Sequence, residues 1–570
     1  MNKIKKNDKI VSEKRKMLMN KNFGFGISDF KKFREKNCFY IDKSLFIKEV
    51  IDGNFEVALI TRPRRFGKSL NLSMLNYYFN INDNSIDLFK GLKILKESEK
   101  YLQAMNTYPV INLSFNGIKT ENYKTMLKRL QVRISKAFKD NLYLLNSEVL
   151  SDAEKDDFEI IAYNNIPDNY KYEIADMVNF LTELLYKHHN KKVYVLLDEY
   201  DVPLIHSYVD NYYDEAIKFF KSFIRSTFKD NLYLEKGVLT GVSRVSKEGI
   251  FSDANNISVF TVLDDEFSNC FGFTKEEINE VLTKYEMKEN LNDLEKWYDG
   301  YTFGNTTDIY NPLSALKYFK YQDFKPYWIN TSSNDLIKKI FAKSSPKVKE
   351  DLEDLISGKR VEVKVDLNTI IPTIEEKEKN IWGLLLQAGY LKPAGYIKEK
   401  DSYFVEIPNE EIKRFYENII EDWCYRTKNM TLNYLLDLNF TEFEEAFKRL
   451  TLEMFSYLDV NENEDENFYH AFVLGMMVEL KNRYVIHSNR ESGFGRYDVI
   501  LKPLESKKKP AFIIEFKSCK SKTFEESIKE AKTQIENKKY ETELLQEKFT
   551  NITKMAIVFK GKEVKIEIFK

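Results

Sequence analysis

The sequence has few cysteines and no long apolar run. Its four cysteines are far apart and form no CxxC pair, which argues against a zinc site and against a disulfide framework. No run of residues is apolar and long enough to span a bilayer, so no membrane partner is expected. This cysteine usage fits a reducing compartment, and a cytoplasmic location is therefore predicted.

The chain also lacks net charge and an apolar leader. Its 88 lysines and arginines nearly balance 89 aspartates and glutamates, so a nucleic-acid partner could be bound only through local basic clusters. Residues 1–22 are charged throughout, which predicts a disordered basic leader rather than a signal peptide. With 570 residues, the chain is too long for one core, and two to four domains are expected.

One stretch has the order strand, loop, helix that is typical of phosphate binding. The apolar run Val57–Ile60 enters a basic turn, and Gly67-Lys68-Ser69 opens a segment with helical apolar spacing. Gly67 would let backbone N–H groups approach phosphate, Lys68 would reach the β and γ phosphates, and Ser69 would bind Mg²⁺. Arg62 stands where the usual motif has its first glycine, so an ordinary basic turn is the alternative.

A second apolar run supplies the acids that such a loop needs. Val193–Leu197 predicts a strand buried on both faces, and it ends at two acids. Asp198 would hold Mg²⁺ through water, and Glu199 would deprotonate the attacking water. A third strand, Gly237–Val242, leads to Arg244, which could stabilise transition-state charge in cis or in a neighbouring copy. The alternative for Arg244 is an ordinary surface arginine.

A separate group of charged residues lies near the carboxyl terminus. Alternation along the predicted strand Ala511–Lys517 places Glu515 and Lys517 on one face, and Asp498 lies on the preceding strand. Two carboxylates and one amine suit metal-assisted phosphodiester hydrolysis, although a cross-strand ion pair is the plainer interpretation. A following helix contains Gln534, which favours a site. A further metal ligand is left open among Glu466, His470 and Glu479.

Two sets of motifs resemble known families. RPRRFGKS, LLDEYD, TGVSR, FGFT, WYDGY and YNP resemble the AAA-ATPase-like domain proteins over approximately the first half of the chain. GRYD, IIEFK and QIENKKY resemble the PD-(D/E)xK nuclease superfamily module that follows this ATPase in many bacterial proteins. In the second set, Tyr497 stands where the motif that names the superfamily has proline.

The resemblances imply two sites. The first implies ATP binding by Lys68, Ser69 and Asp198, with Glu199 as the hydrolytic base. The motifs themselves add Mg²⁺ as a cofactor at Ser69 and Asp198, and Arg244 as a catalytic residue. The nucleotide-binding residues of this site would be Arg65, Phe66, Gly67, Lys68, Ser69 and Asp198. The second implies a nuclease-type site for DNA or other nucleic acid. Its residues would be Asp498 and Glu515, which would also bind the metal, together with Lys517 and Gln534.

The expected fold is α/β, with a parallel P-loop NTPase sheet, a helical lid or winged-helix-like middle region, and a restriction-endonuclease-like last domain. The expected boundaries are 1–22 for the leader, 23–266 for the ATPase-like domain, 267–460 for the lid and linker, and 461–570 for the nuclease-like domain. The preferred hypothesis is an ATPase that gates or positions a Mg²⁺-dependent nuclease. The alternative is an ATP-driven switch whose nuclease-like domain only binds nucleic acid or a protein. A homo-oligomer is left open.

Overall fold

The computed structural model describes residues 13–167, 170–229, 231–243, 255–329, 337, 344–367, 378–457, 466–488, 491–492, 495–496, 498–519 and 522–569. The chain divides into two compact units, Met1–Phe415 and Tyr416–Lys570, and each contains a five-stranded sheet. Among the described residues, no helix has both the length and the apolar character needed to cross a membrane. The four-part division of the sequence stays a prediction.

The five-stranded sheet of the first unit is parallel throughout. Its strands are β1 (Val57–Thr61), β2 (Val110–Ser114), β3 (Val193–Asp198), β4 (Leu234–Gly241) and β5 (Ile257–Phe260). Their order is β2-β3-β4-β1-β5. Both β1 and β3 are buried at every position, as expected of parallel strands that are covered on both faces. Because all strands run the same way, their carboxyl ends meet at one edge of the sheet.

Helices connect and cover these strands. They are Phe30–Glu35, Leu45–Asp52, Lys68–Phe79, Ile86–Phe89, Glu99–Gln103, Tyr123–Lys139, Asp152–Ala162, Met177–His189, Val202–Val209 and Tyr213–Phe228, with 3₁₀ turns at Lys93–Lys96 and Leu142–Asn146. Local sequence explains several helix starts. Asn122 accepts a bond from the backbone N–H of Thr125, and Ser151 forms a capping box with Glu154. These caps satisfy N–H groups that a helix start leaves open.

The amino-terminal segment differs from its prediction. Residues 1–12 lie outside the described residues, but Glu13–Met19 forms a helix within the segment that was expected to be disordered. Leu18 is fully buried and belongs to an apolar cluster with Phe23 and Tyr318. The expectation of disorder was therefore wrong for this helix, because its one buried leucine anchors an otherwise polar segment to the core.

The middle region combines helices with two small sheets. Its helices are Lys275–Lys284, Leu291–Tyr298, Pro312–Tyr321, Pro346–Ile356 and Glu378–Ala388, with a 3₁₀ turn at Lys288–Asn290. Strands β6 (Tyr301–Phe303) and β7 (Thr306–Ile309) form a hairpin, while β8 (Val361–Val363), β9 (Lys392–Ile397) and β10 (Ser402–Glu406) form an antiparallel sheet in the order β8-β10-β9. The order of helix Pro346–Ile356, β8, helix Glu378–Ala388, β9 and β10 fits the winged-helix-like region that the sequence predicts.

A buried carboxylate ties part of this region together. Glu411 has no exposed surface, and it accepts hydrogen bonds from the hydroxyl of Ser314 (2.8 Å) and from the backbone N–H groups of Trp328 and Ile329. Burial raises the pKa of the Glu411 carboxyl to about 7, although these donors oppose the shift. Glu411 therefore links three segments of the chain through donors that carry no charge.

The second unit has a mixed sheet. Its helices are Phe440–Tyr457, Glu466–Met477, Phe524–Lys538 and Thr542–Gln546, with a 3₁₀ turn at Val478–Asn482, and the helix Glu410–Leu436 precedes them. The main strands are β11 (Tyr484–Ser488), β14 (Val499–Pro503), β15 (Ala511–Ser518), β16 (Ile552–Lys560) and β17 (Glu563–Phe569), and the short strands β12 (Glu491–Ser492) and β13 (Gly495–Arg496) pair separately. The sheet order is β11-β14-β15-β16-β17, and only β15 and β16 are parallel. The order of helix, three strands, helix and strand fits the expected nuclease-like α/β fold.

Candidate functional site

The turn after β1 has the backbone that anion binding requires. Arg65 has a φ of 68° and Gly67 a φ of 89°, and the helix Lys68–Phe79 begins directly after this glycine. The N–H groups of a first helical turn have no partner within the helix, and the positive end of the helix dipole lies there as well. The turn can therefore bind phosphate oxygens through its backbone.

Lys68 is buried within this turn. Its side-chain nitrogen donates to the carbonyl oxygens of Arg62 and Pro63, both at 2.8 Å. Burial lowers the pKa of Lys68 to about 8, against the effect of nearby carboxylates, of which Asp201 acts most strongly. The ammonium group is thus held in a dry position by neutral oxygens of its own loop.

Arg62 explains why this loop does without its first glycine. The Arg62 side chain is fully buried, and its guanidinium donates to the carbonyl oxygens of Thr61 (2.9 Å), Thr261 (2.6 Å) and Glu266 (3.0 Å). The same group lies 4.9 Å from the centre of the Phe303 ring. Arg62 therefore fastens the start of the loop to the segment after β5, where a glycine would make no such contacts.

The acids after β3 lie at the same edge of the sheet. Asp198 is buried and accepts a bond from the Thr240 hydroxyl at the end of β4 (2.7 Å). Glu199 has a φ of 53°, an uncommon backbone conformation for a glutamate. Burial, and then the charge of Asp198, raise the pKa of the Glu199 carboxyl. A carboxyl with a raised pKa is suited to accepting a proton from water.

A cavity of 470 Å³ joins the loop to Glu199 and Asp201. Its wall includes residues 64–71 of the loop and helix, Glu199 and Asp201, and also the apolar residues Phe25, Ile27, Phe39, Ile41, Pro312 and Leu316. One cavity thus offers phosphate-binding backbone and acids together with an apolar wall. This volume is within the range of small-molecule and cofactor sites.

The predicted loop residues play different parts. Arg65 is exposed and Ser69 is half-buried, and both line the cavity. The Phe66 ring is buried and lies 4.9 Å from the Tyr301 ring and 5.5 Å from the Phe303 ring, measured between centres. The Phe66 side chain therefore anchors the loop to the core. Arg244 lies outside the described residues.

The second unit brings together the three charged residues that the sequence singled out. The register of β14 and β15 pairs Val499 with Ile514, so Asp498 comes beside Glu515. Asp498 accepts a bond from the backbone N–H of Phe516 (2.8 Å), and Lys517 donates to the buried Glu515 at 3.1 Å. Two carboxylates beside an amine form a donor set that fits Mg²⁺.

The other residues of this proposed site are less closely placed. Gln534 donates to the hydroxyl of Tyr540 at 3.1 Å. Tyr540 is buried, and besides burial the charges of Glu515 and Asp498 raise its pKa. Gln534 therefore reaches this group through a tyrosine that the sequence did not single out. Within the described ranges, no group of three or more metal-ligating side chains is arranged around a common point.

The choice of a further metal ligand among Glu466, His470 and Glu479 is not settled by the structure, and Tyr497 is not described. The side chains of Glu466 and His470, and Tyr497 as a whole, lie outside what the structure describes. Glu479 is exposed in the 3₁₀ turn Val478–Asn482. The choice among the three additional ligands therefore stays a prediction.

The sequence also missed residues of the first site. Thr240 and Asp201 contact the acidic segment and the end of β4, but only the strand order brings these two segments together. The second aspartate of LLDEYD was the available signal for Asp201, while nothing distinguished Thr240 from an ordinary strand threonine.

Strand order, turn and acids define the first unit as a P-loop NTPase fold. In agreement, residues 24–251 match the family described as predicted AAA-ATPase, and residues 464–569 match the PD-(D/E)XK nuclease superfamily. The chain joins an AAA-ATPase-like region to a PD-(D/E)xK nuclease superfamily module, which confirms the resemblances that its motifs indicated.

Two individual proteins are similar to the chain. A protein of Azotobacter chroococcum mcd 1, described as an uncharacterized protein in the vnfD 5' region, is 26% identical over 405 residues, which are 69% of this chain and 68% of that protein. The structure of the Aeropyrum pernix ORC2 protein in its ADPNP–ADP complexes has 10% identity and a TM-score of 0.24, covering 67% of this chain and 92% of that chain.

Proposed function

We propose that this protein binds ATP with Mg²⁺ and hydrolyses it at the cavity of the first unit. The observation that carries this proposal is the single cavity that Lys68 and Glu199 both line. Phosphate would be held by the loop backbone and by Lys68, which would exchange its bonds to loop carbonyls for bonds to phosphate oxygens. Among the described residues this exchange breaks no ion pair of Lys68, but it removes the lysine donor from the carbonyls of Arg62 and Pro63.

Each remaining residue has a role in this proposal. Ser69 and Asp198 would hold Mg²⁺, which supplies charge neutralisation of the phosphates when bound. Glu199 would orient the attacking water and accept its proton. Thr240 would fix Asp198 through the 2.7 Å hydrogen bond. Arg244 would stabilise transition-state charge, and a role in trans would require a homo-oligomer.

We further propose that the second unit is a Mg²⁺-dependent nuclease, which ATP gates or positions. Asp498 and Glu515 would hold the metal ion, which supplies Lewis acidity when bound. Lys517 would steady the attacking hydroxide, and Gln534 would support the group through Tyr540. The support is the convergence of Asp498, Glu515 and Lys517 on neighbouring strands. The substrate class would be DNA or other nucleic acid, in the cytoplasm.

A binding switch is the second candidate function. The observation that favours it is the direct contact of Lys517 with Glu515, because an ion pair already occupies part of the proposed metal site. In that case the second unit would bind nucleic acid or a protein without cleaving it, and ATP would change its affinity. Cleavage assays with and without ATP separate the two candidates.

The test of the first proposal is the binding of a fluorescent ATP analogue with Mg²⁺ to Lys68→Ala. We expect an affinity loss of at least about 100-fold, because a charge-assisted contact to phosphate is removed from a dry site. Lys90→Ala is the matched control, since Lys90 is 72% exposed in the same unit. Unchanged affinity in a folded Lys68→Ala variant would contradict the loop assignment. Ser69→Ala is the second variant, and it should lower affinity only when Mg²⁺ is present.

A further inference from the structure

We infer that Asp201 is a positioning residue for hydrolysis, which acts together with Tyr200 by fixing the segment after β4 to the acidic segment after β3. In this role both residues act through the segment after β4, although Asp201 also lines the cavity. The inference deepens the proposed ATPase function and rests on it. According to this inference, Tyr200 and Asp201 determine the position of Glu199 relative to the segment after β4, which leads to Arg244.

The hydrogen bonds of Asp201 carry the first step. One carboxylate oxygen, Oδ2, accepts bonds from the backbone N–H groups of Val242 (2.9 Å) and Ser243 (3.0 Å), and from the Ser243 hydroxyl (3.3 Å). Asp201 is only 1% exposed. A buried carboxylate that accepts three hydrogen bonds from two successive residues fixes the backbone of that segment in place.

Tyr200 holds the same segment from its other side. Its hydroxyl donates to the carbonyl oxygen of Ser243 at 2.8 Å, and its backbone N–H donates to the carbonyl oxygen of Thr240 at 3.2 Å. Both the N–H and the carbonyl of Ser243 are therefore bound by the Tyr200–Asp201 pair. Since Glu199 directly precedes this pair and Arg244 directly follows Ser243, the pair links two proposed catalytic residues.

Gly241 shows how close this approach is. A Cβ atom at Gly241 would lie 2.7 Å from the Tyr200 ring and 3.0 Å from the Oδ1 atom of Asp201, distances that ordinary side chains do not tolerate. The glycine is thus required by the two residues that lie over it. Any movement of the segment after β4 must consequently move Asp201 and Tyr200 with it.

These contacts predict a specific kinetic signature. In the proposed function, binding depends on the loop at Gly67 and Lys68, whereas Tyr200 contacts the segment after β4. Loss of the Tyr200 hydroxyl should therefore lower kcat and leave nucleotide affinity nearly unchanged. Asp201 also lines the cavity, and its charge acts on Lys68, so Asp201→Asn should lower kcat without weakening the binding of an anionic nucleotide. Because both residues act through Ser243, removing the second contact should add little once the first is gone.

The experiment compares Tyr200→Phe, Asp201→Asn and the double variant with wild type in steady-state ATP hydrolysis, in binding of a fluorescent ATP analogue, and in thermal unfolding. Asp156→Asn is the control, since it makes the same chemical change at an exposed position of this unit. We expect each single variant to lower kcat about 10-fold, and the double variant to match the kcat of the worse single variant. Tyr200→Phe should change affinity less than about twofold, and Asp201→Asn should not lower affinity, because it removes a negative charge from the cavity wall.

Three outcomes would overturn the inference. They are an unchanged kcat in both single variants, effects on kcat that multiply in the double variant, and a loss of affinity as large as the loss of kcat. Tyr200→Phe keeps the test decisive if Asp201→Asn does not fold, because it removes one hydroxyl and no charge. A wild-type protein that does not hydrolyse ATP would instead contradict the proposed function, and this inference with it.

Discussion

Both units place a lysine beside carboxylates at strand ends, yet they hold that lysine differently. Lys68 donates to two backbone carbonyls and faces its acids only at longer range, whereas Lys517 contacts the carboxylate of Glu515 directly. A phosphate group can bind Lys68 without breaking an ion pair, but a metal ion at Glu515 must compete with the ion pair between Glu515 and Lys517. The first site is therefore arranged to bind an anion, whereas the lysine of the second site is already paired with a carboxylate of that site.

The largest expected effect tests whether the second site is a reaction centre. Asp498→Asn should lower Mg²⁺-dependent cleavage of labelled DNA or RNA by roughly 1000-fold, because the variant loses a charged metal ligand. Asp437→Asn, at an exposed position of the same unit, is the control. Equal cleavage by both variants would remove Asp498 from the reaction, and no cleavage by wild type on any substrate would favour the binding switch.

Arg62 provides the next test. Its side chain fastens the phosphate-binding loop to the segment after β5, a contact that the usual loop motif, with glycine at this position, does not make. Arg62→Gly restores the usual first glycine of the loop but removes the donor from the carbonyls of Thr61, Phe260, Thr261 and Glu266. We expect it to lower the free energy of unfolding by about 3 kcal/mol, measured by denaturant titration. Arg64→Gly, at an exposed neighbouring position, should cost far less. A stability gain in Arg62→Gly would contradict the anchoring role.

Glu199 distinguishes the two acids of the first site. Glu199→Gln should lower ATP hydrolysis by about 100-fold while ATP binding persists, because the amide cannot accept the proton of the attacking water. Glu215→Gln is the exposed control. The measurement is single-turnover hydrolysis beside analogue binding. Wild-type turnover in Glu199→Gln would place the base elsewhere.

Glu411 offers a comparison with the carboxylates of both sites, because its hydrogen-bond donors among the described residues are neutral. Its folded-state pKa of about 7 lies above the usual glutamate value, so its contribution to stability is complete at low pH and is lost as pH rises through 7. Glu411→Gln should remove this loss, which we expect to be about 2 kcal/mol between pH 5 and pH 8. Unfolding titrations at both pH values test it. The same pH dependence in variant and wild type would contradict the assignment.

Much of the fold could be predicted from local patterns. The apolar runs at Val57 and Val193 are long enough to identify buried parallel strands, and the acids that follow the second run mark the edge of the sheet. The alternation around Glu515 likewise places it beside Lys517. These features depend on residues close in sequence, which is why periodicity reveals them.

Other features depend on residues that are distant in sequence. Arg62 contacts Thr261 and Glu266, and Asp201 contacts Ser243, so neither set of contacts could be inferred from neighbouring residues. The helix Glu13–Met19 was missed because its composition is polar and one buried leucine, Leu18, anchors it. Sequence patterns report which face of an element is buried, but the partner that covers it follows only from the order of the strands.

The sheet order also has a consequence for how the protein is made. β1 pairs with β4 and β5, whose residues follow position 233, so the strand before the phosphate-binding turn leaves the ribosome long before either neighbour exists. At translation rates of about 5–20 residues per second, this apolar strand remains without its two neighbouring strands for on the order of ten seconds or more. During that time its open edges can pair with other chains. Synthesis of the first unit should therefore be sensitive to chaperone supply.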